Sequence, residues 1–167
     1  SFTDAMNRLW RVVRRIGSVQ ILQTTFFRVD TVVRAVKEGS WFFNWGGQNL
    51  LLFVEGTVTA GIDLSELDEE DVEISDESKT IVITLPPAKV LNAQLDDYRI
   101  ENYRGDTPPN ADPALVKEAL DAGRLQIADT ACESGILQYA TRDAEATFAQ
   151  MMSLADLGDY QLIVKTT

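Results

Sequence analysis

The sequence predicts an α+β fold, in which a mostly antiparallel sheet packs against one long helix in the C-terminal half. A short N-terminal helix and a final edge strand complete the prediction. β-branched and aromatic residues dominate residues 19–87, helical periodicity dominates residues 112–157, and a short strand-like segment follows at 160–166. Strands and helices are thus segregated along the chain, which argues against a doubly wound sheet. With 167 residues, we expect a single domain over 1–167.

A basic amphipathic helix is predicted over residues 1–17. Thr3 or Asp4 can cap its start, and Gly17 is a typical stop signal. Apolar residues recur at the i, i+3, i+4, i+7 spacing of one helix face, and arginines take other positions. The apolar residues are Leu9, Val12, Val13 and Ile16, and the arginines are Arg8, Arg11, Arg14 and Arg15.

The strand region begins near residue 19. Residues 19–36 are rich in valine, isoleucine, threonine and phenylalanine, although a helix over 29–36 is left open. Residues 48–62 have the length and composition of a long strand. The two segments are separated by a glycine-bounded loop, residues 39–47, that is rich in aromatic residues.

A hairpin is predicted further along. The acidic stretch 65–71 has the composition of a turn or a short capped helix, and residues 72–74 and 80–85 are short strands joined by four polar residues. Two prolines, Pro86 and Pro87, end the second strand because they remove backbone donors. Residues 88–111 are expected to be irregular.

The long helix is the clearest element of the C-terminal half. Asp112 is a capping residue and Pro113 suits the first helical turn. The amphipathic pattern continues for about forty residues, or ~60 Å if it is unbroken. Gly123 and Gly135 are possible bends, and Gly158 closes the segment before the terminal strand.

Composition removes many enzyme classes. The chain has no histidine and one cysteine, Cys132, so imidazole bases, Ser-His-Asp and Cys-His arrangements, intrachain disulfides and cysteine–histidine zinc sites are absent. We therefore expect no catalytic residues, no metal and no cofactor. The net charge is −11, which also argues against nucleic acid as a partner because phosphate repulsion opposes binding.

The charge is unevenly distributed. Residues 1–40 hold seven basic and three acidic residues, whereas the rest of the chain is strongly acidic. A basic N-terminal face can lie against an anionic membrane or an acidic partner, or it can simply be a solvated helix face. Trp41, Phe42 and Trp45 form either an exposed contact for a membrane or partner, or a loop folded over the core.

Carboxylates are the plentiful reactive groups. Glu55 and Asp63 flank a Gly-Thr-Val-Thr-Ala-Gly segment, but a straight strand would hold them ~26 Å apart, too far for a hydrolytic pair. Asp63 as a turn or helix cap is the structural interpretation. A carboxylate-based hydrolase or a small-ligand binder at Asp63, assisted by Tyr98 or Tyr103, is the alternative.

Residues 53–64, Phe-Val-Glu-Gly-Thr-Val-Thr-Ala-Gly-Ile-Asp-Leu, resemble the central motif of DUF4230, a bacterial family of unknown function. The similarity continues through residues 80–88 and the helix around Gly135-Ile136-Leu137, so that about residues 20–165 are covered. Within the motif, the positions that stand out are Gly56, Thr59, Gly61 and Asp63, for which a structural role is expected.

The resemblance implies a location rather than an activity. Members of that family typically carry an N-terminal membrane helix before this domain, and this chain opens at Ser1 with no such segment. We therefore expect a membrane-anchored soluble domain whose anchor lies upstream, with an extracytoplasmic side as one option. The leading hypothesis is a non-enzymatic binding or scaffold module. Its partner is a membrane surface or an unknown protein, and self-association into a homo-oligomer through the long helix is possible.

Overall fold

The computed structural model describes residues 2–17, 21–37, 48–105 and 112–167. It contains both helices and sheets, and the predicted α+β class is confirmed. In chain order the elements are α1 (Phe2–Gly17), β1 (Ile21–Lys37), β2 (Gln48–Asp63), β3 (Val72–Ser75), β4 (Thr80–Leu85), β5 (Lys89–Gly105), α2 (Pro113–Glu133), α3 (Ile136–Met152) and β6 (Gln161–Thr166). The predicted aromatic loop with Trp41, Phe42 and Trp45 lies outside the described residues.

The strands form two three-stranded sheets, in the orders β1–β2–β5 and β3–β4–β6. The sequence suggested one sheet. β3 and β4 make an antiparallel hairpin in which Val72 is opposite Ile83 and Ser75 is opposite Thr80. β6 lies parallel to β4 and takes an edge position, so the final edge strand is present.

The prediction that residues 88–111 are irregular is wrong for Lys89–Gly105, which form β5, and residues 106–111 lie outside the described residues. Half-buried Ala93 and Leu95 alternate there with exposed Asn92 and Gln94, which is the period of a strand with one wet face. The many charged and tyrosine residues further along hide this alternation in the sequence. Pairing beside β2 supplies the hydrogen bonds that keep such a polar segment extended.

The option of a helix over residues 29–36 is also wrong. β1 continues to Lys37, with Val29 and Val33 buried and Asp30 and Arg34 exposed. The even-numbered residues from 30 to 36 are all exposed and the odd-numbered residues from 29 to 35 are buried or half-buried, which is the period of two of a strand that packs through one face.

The long helix predicted over 112–157 is divided into α2 and α3. Ser134 caps the end of α2, and Gly135 has φ of 92°, a left-handed conformation that glycine adopts at little cost. Gly123 does not bend α2; it lets the helix approach Val33 and Val54, whose methyl groups lie 3.3 and 3.4 Å from where a Cβ would stand.

The chain forms two compact units, and each long strand supplies residues to both. One unit contains Ser1–Thr25, Ala60–Leu91 and Ile136–Thr167, and the other contains Phe26–Thr59 and Asn92–Gly135. A single-domain organisation stays a prediction. In the second unit, α2 packs against β1 and β2 through a buried stripe: Leu115, Ala119, Gly123, Ile127 and Ala131.

The core of the first unit joins all its element types. Leu9 and Val13 of α1, Phe148 and Met152 of α3 and Ile83 of β4 belong to one buried cluster. The apolar side of α1 is therefore used for folding. Leu9 is fully buried, whereas the arginines of α1 are exposed.

Replacing Leu9 by Ala should lower the free energy of unfolding by about 2–5 kcal/mol, because the change leaves a cavity in this core. Chemical denaturation monitored by circular dichroism measures the loss. The control, Arg11→Ala on the exposed side of the same helix, should change stability by no more than about 0.5 kcal/mol. Equal small effects for both variants would show that α1 is not packed on the core.

Candidate functional site

The motif strand β2 alternates between a buried and a wetter side. Leu52, Val54, Gly56 and Val58 are buried, whereas Glu55 is exposed between them. Thr57 and Thr59 share the side of Glu55 and are half-buried. A strand that packs through one face and stays wet on the other needs this period of two.

Gly56 is required by close packing in the second unit. A Cβ at this position would lie 2.3 Å from Ile127 Cδ1 and 2.6 Å from the backbone oxygen of Gln94. Real Cβ atoms do not approach other heavy atoms so closely, and a carbonyl oxygen within a sheet has little freedom to move. The glycine therefore lets α2 and β5 come close to β2.

Asp63 is a helix cap. Its Oδ1 atom accepts hydrogen bonds from the Ser65 amide at 3.0 Å and the Ser65 hydroxyl at 2.6 Å, at the start of a 3₁₀ turn over Leu64–Glu66. Its Oδ2 atom lies 3.8 Å from Lys89 Nζ, which is itself 3.3 Å from Glu66 Oε1. Both oxygens of the carboxylate thus have partners.

The electrostatics of Asp63 follow from this geometry. The hydrogen bonds from the hydroxyl and amide of Ser65 hold the pKa of Asp63 below its ordinary value of 3.8. A carboxyl with a lowered pKa remains ionised at neutral pH, so it has no proton to give as a general acid.

Gly61, the motif glycine two residues before Asp63, is buried in β2.

The second unit contains a charged depression of about 220 Å³, which the sequence did not reveal. It is lined by Arg28 and Asp30 of β1, Glu55 and Gly56 of β2, and Asp96 of β5. The Thr57 hydroxyl donates a hydrogen bond to Asp96 Oδ2 at 2.6 Å. All four charged residues are exposed, so the depression offers a mixed charged surface without a buried, activated nucleophile.

The first unit contains a more open groove of about 420 Å³. Leu137, Gln138, Thr141, Arg142 and Glu145 of α3 form one side, and Pro87, Ala88 and Thr167 form the other. Asp63 lines neither this groove nor the charged depression. Of the tyrosines considered beside it, Tyr98 is exposed on β5, and the side chain of Tyr103 lies outside the described residues.

A polar cluster that the sequence analysis missed ties the hairpin to β6. The Tyr160 hydroxyl donates a hydrogen bond to the Asp76 carboxylate, which also accepts one from Lys79 Nζ at 2.8 Å. The hydrogen bond from Lys79, followed by that from Tyr160, lowers the pKa of Asp76. The Lys79 ammonium lies 5.0 Å from the centre of the Tyr160 ring, which adds a cation–π contact.

The arginines of α1 form a surface of their own, the α1 arginine face. Arg8, Arg11, Arg14 and Arg15 are exposed, on the side away from buried Leu9 and Val13. Arg8 lies 3.9 Å from Asp156. Across the described ranges, no helix combines the length and apolar character needed to cross a bilayer.

No metal centre is apparent among the side chains that the structure describes, since no three cysteine, aspartate or glutamate groups converge as ligands. Cys132 is a half-buried free thiol in α2. Of the residues that the sequence singled out and the structure describes, Gly56 and Asp63 have structural contacts and the α1 arginines are exposed.

The chain belongs to the DUF4230 family, described as a protein of unknown function, whose model matches residues 14–162. The resemblance that the motif suggested is thereby confirmed over nearly the whole chain. No curated protein and no solved structure shows a significant match.

Substituting Gly56 by Ala should destabilise the protein by about 1–3 kcal/mol, since the added methyl group overpacks the contact with α2 and β5. Denaturant titration measures this loss. Adding Ile127→Val, which deletes the nearest methyl group, should recover part of it. Gly158→Asn is the control, because nothing lies within 4 Å of a Cβ there and asparagine tolerates its φ of 64°.

Replacing Asp63 by Ala should lower the midpoint of thermal unfolding at neutral pH, because the 3₁₀ turn loses its cap. The folded-state pKa lies below the ordinary value of 3.8, so the stabilisation is present above that pH and is lost as the pH falls through the folded-state pKa. The difference between the two proteins should therefore shrink in acid.

The matched variant Asp63→Asn keeps an acceptor for Ser65 but cannot ionise, so its loss at neutral pH should be smaller. Asp129→Ala, at an exposed acid of α2, controls for the removal of one negative charge. A difference between wild type and Asp63→Ala that stays constant down to the lowest measurable pH would contradict the ionised cap.

Proposed function

We propose that this member of the DUF4230 family is a non-enzymatic, membrane-tethered binding module that rests its α1 arginine face on anionic lipid headgroups. One observation carries the proposal: α1 buries its apolar side in the core and presents its arginines outward. The expected upstream anchor would keep this face near the bilayer.

The orientation of α1 favours an electrostatic contact rather than insertion. Leu9 and Val13, which an inserting helix would place among acyl chains, are already part of the core. Guanidinium groups suit phosphate because their planar forks can bind two oxygens at once. The helix can therefore adhere to headgroups without unfolding the unit that holds it.

Charge separation makes this contact specific to one side of the molecule. The whole chain has a net charge of −11, so its acidic surfaces are repelled by an anionic bilayer. Each basic residue near such a surface contributes about 1 kcal/mol, and the attraction falls off within a Debye length. A small basic face on an acidic body would thus set the orientation of a tethered domain.

The non-enzymatic part of the proposal is supported by the state of the candidate acids. Asp63 is hydrogen-bonded as a cap, and the acids of the charged depression are solvent-exposed. Catalytic acids and bases are more often found where burial shifts their pKa toward the working pH. The alternative of a carboxylate hydrolase at Asp63 gains no support from this arrangement.

Co-sedimentation with vesicles tests the headgroup contact. Wild-type protein should bind phosphatidylcholine vesicles only when they contain phosphatidylglycerol, and added salt should weaken binding. Arg11→Gln with Arg14→Gln removes two exposed charges, which should weaken partitioning by about 30-fold at about 1 kcal/mol per charge.

The control variant carries Arg124→Gln and Arg142→Gln, two exposed arginines on α2 and α3. It has the same net charge as the test variant and should bind like wild type. Equal binding to neutral and anionic vesicles, or equal losses in both variants, would contradict a role for the α1 arginine face. Circular dichroism and unfolding curves establish that both variants are folded.

A further inference from the structure

Strand β6 has an edge that no other strand pairs with in the part of the chain that the structure describes. On its other side it pairs with β4, from Thr80 opposite Gln161 to Leu85 opposite Thr166. An unpaired row of backbone N–H and C=O groups is a template for a further strand. The positions of the unpaired backbone groups along this edge determine how a further strand can pair with it.

The hydrogen bonds to β4 show which groups remain open. The amide of Gln161 donates to the Lys79 oxygen at 2.8 Å, and the amide of Thr167 donates to the Leu85 oxygen at 3.2 Å. Since backbone groups alternate between the two edges of a strand, the odd-numbered residues face β4. The even-numbered residues therefore present their N–H and C=O groups to the open edge: Leu162, Val164 and Thr166.

Contacts at both ends hold β6 extended. Tyr160, just before the strand, is bonded to Asp76 of the hairpin turn, and Thr167, just after it, is bonded to β4. Leu162 and Val164 pack against the core of the first unit. An incoming strand would thus meet a template that is already ordered, which reduces the entropic cost of pairing.

The two edges of this sheet are protected differently. β3, at the opposite edge, has four residues with Glu73 among them and is followed by Asp76 and Glu77. Short length and charge are the usual means of discouraging edge pairing. β6 has six residues, no acid and one charged residue, Lys165. In a chain of net charge −11, it is an acid-free edge.

We propose that β6 pairs antiparallel with β6 of a second copy of this chain, about a two-fold axis at Val164, so that the two β3–β4–β6 sheets become one. A two-fold axis makes the same edge serve both partners, which requires only that the edge be complementary to itself. The β6 edge of a second copy therefore supplies all the backbone groups that the pairing requires.

The register follows from the open groups. With the axis at Val164, Val164 faces its own counterpart and Leu162 faces Thr166 of the second copy, so every open residue joins a hydrogen-bonded pair. An axis moved by one residue, to Ile163, leaves Thr166 opposite Tyr160, whose amide already donates to Leu157. The Val164 axis is therefore the register that uses the whole edge.

The exposed side chains of β6 are also compatible with this register. Ile163 and Lys165 are exposed on the same side of β6, and Ile163 is 42% exposed. The axis places Ile163 opposite Lys165 of the second copy, in a pair that makes no backbone hydrogen bonds and so brings side chains close. The two lysines are consequently not opposite each other, and the apolar Ile163 surface is covered.

Sedimentation equilibrium over a concentration series tests the pairing, with variants that place a positive or a negative charge at Ile163. Ile163→Lys places like charges opposite each other at two symmetric places, so the dimer dissociation constant should rise by about tenfold or more. Ile163→Glu puts a carboxylate opposite Lys165 of the second copy, and the dimer should persist. Non-specific association predicts the reverse order, because added positive charge reduces the repulsion between acidic chains.

Two further variants complete the test. Leu125→Lys, at an apolar residue of α2 that is 70% exposed, is the control and should dimerise like wild type. Val164→Pro removes an amide that faces the open edge without touching the β4 ladder, so the fold should be kept, as judged by circular dichroism, and the dimer lost. A wild-type chain that stays monomeric at all concentrations, or a dimer indifferent to both Ile163 charge variants, would overturn the proposal.

Discussion

The close approach at Gly56 is the contact on which the second unit depends. Ile127 of α2 and the carbonyl oxygen of Gln94 in β5 both occupy space that a side chain would need. The lack of a side chain at this one position therefore lets both α2 and β5 pack closely against β2. The same backbone forms part of the charged depression, while Glu55 beside it points to the wet side of the strand. Packing on one face of β2 thus sets where its polar residues lie on the other.

In the first unit, the two sides of α1 differ in their surroundings. Leu9 and Val13 contribute to the buried cluster with Phe148, and the arginines remain in solvent. Since Leu9 and Val13 are part of the core, the side of α1 that remains exposed is the one that carries the arginines. The open edge of β6 lies in the same unit but involves other residues, so the proposed lipid contact and the proposed strand pairing use different groups.

Much of the fold was readable from the sequence because the relevant signals are local. The capping residue Asp112, the Val72–Leu85 hairpin and the Gly135 conformation all follow from short-range chemistry. β5 was missed because its residues 96–101 are exposed and mostly polar, and its strand conformation depends on β2. The charged depression was missed for a similar reason, since Arg28, Glu55 and Asp96 meet only once strand order is known.

The sequence by itself determined the α+β class, the family and the scarcity of catalytic groups, because composition, periodicity and a contiguous motif need no partner in space. Tertiary structure alone decided how those features are used. It showed that Gly56 serves packing, that Asp63 is a cap and that the apolar side of α1 is already buried. Among the described residues it also left one edge of β6 unpaired, because strand pairing is a long-range arrangement that the local sequence of β6 does not encode.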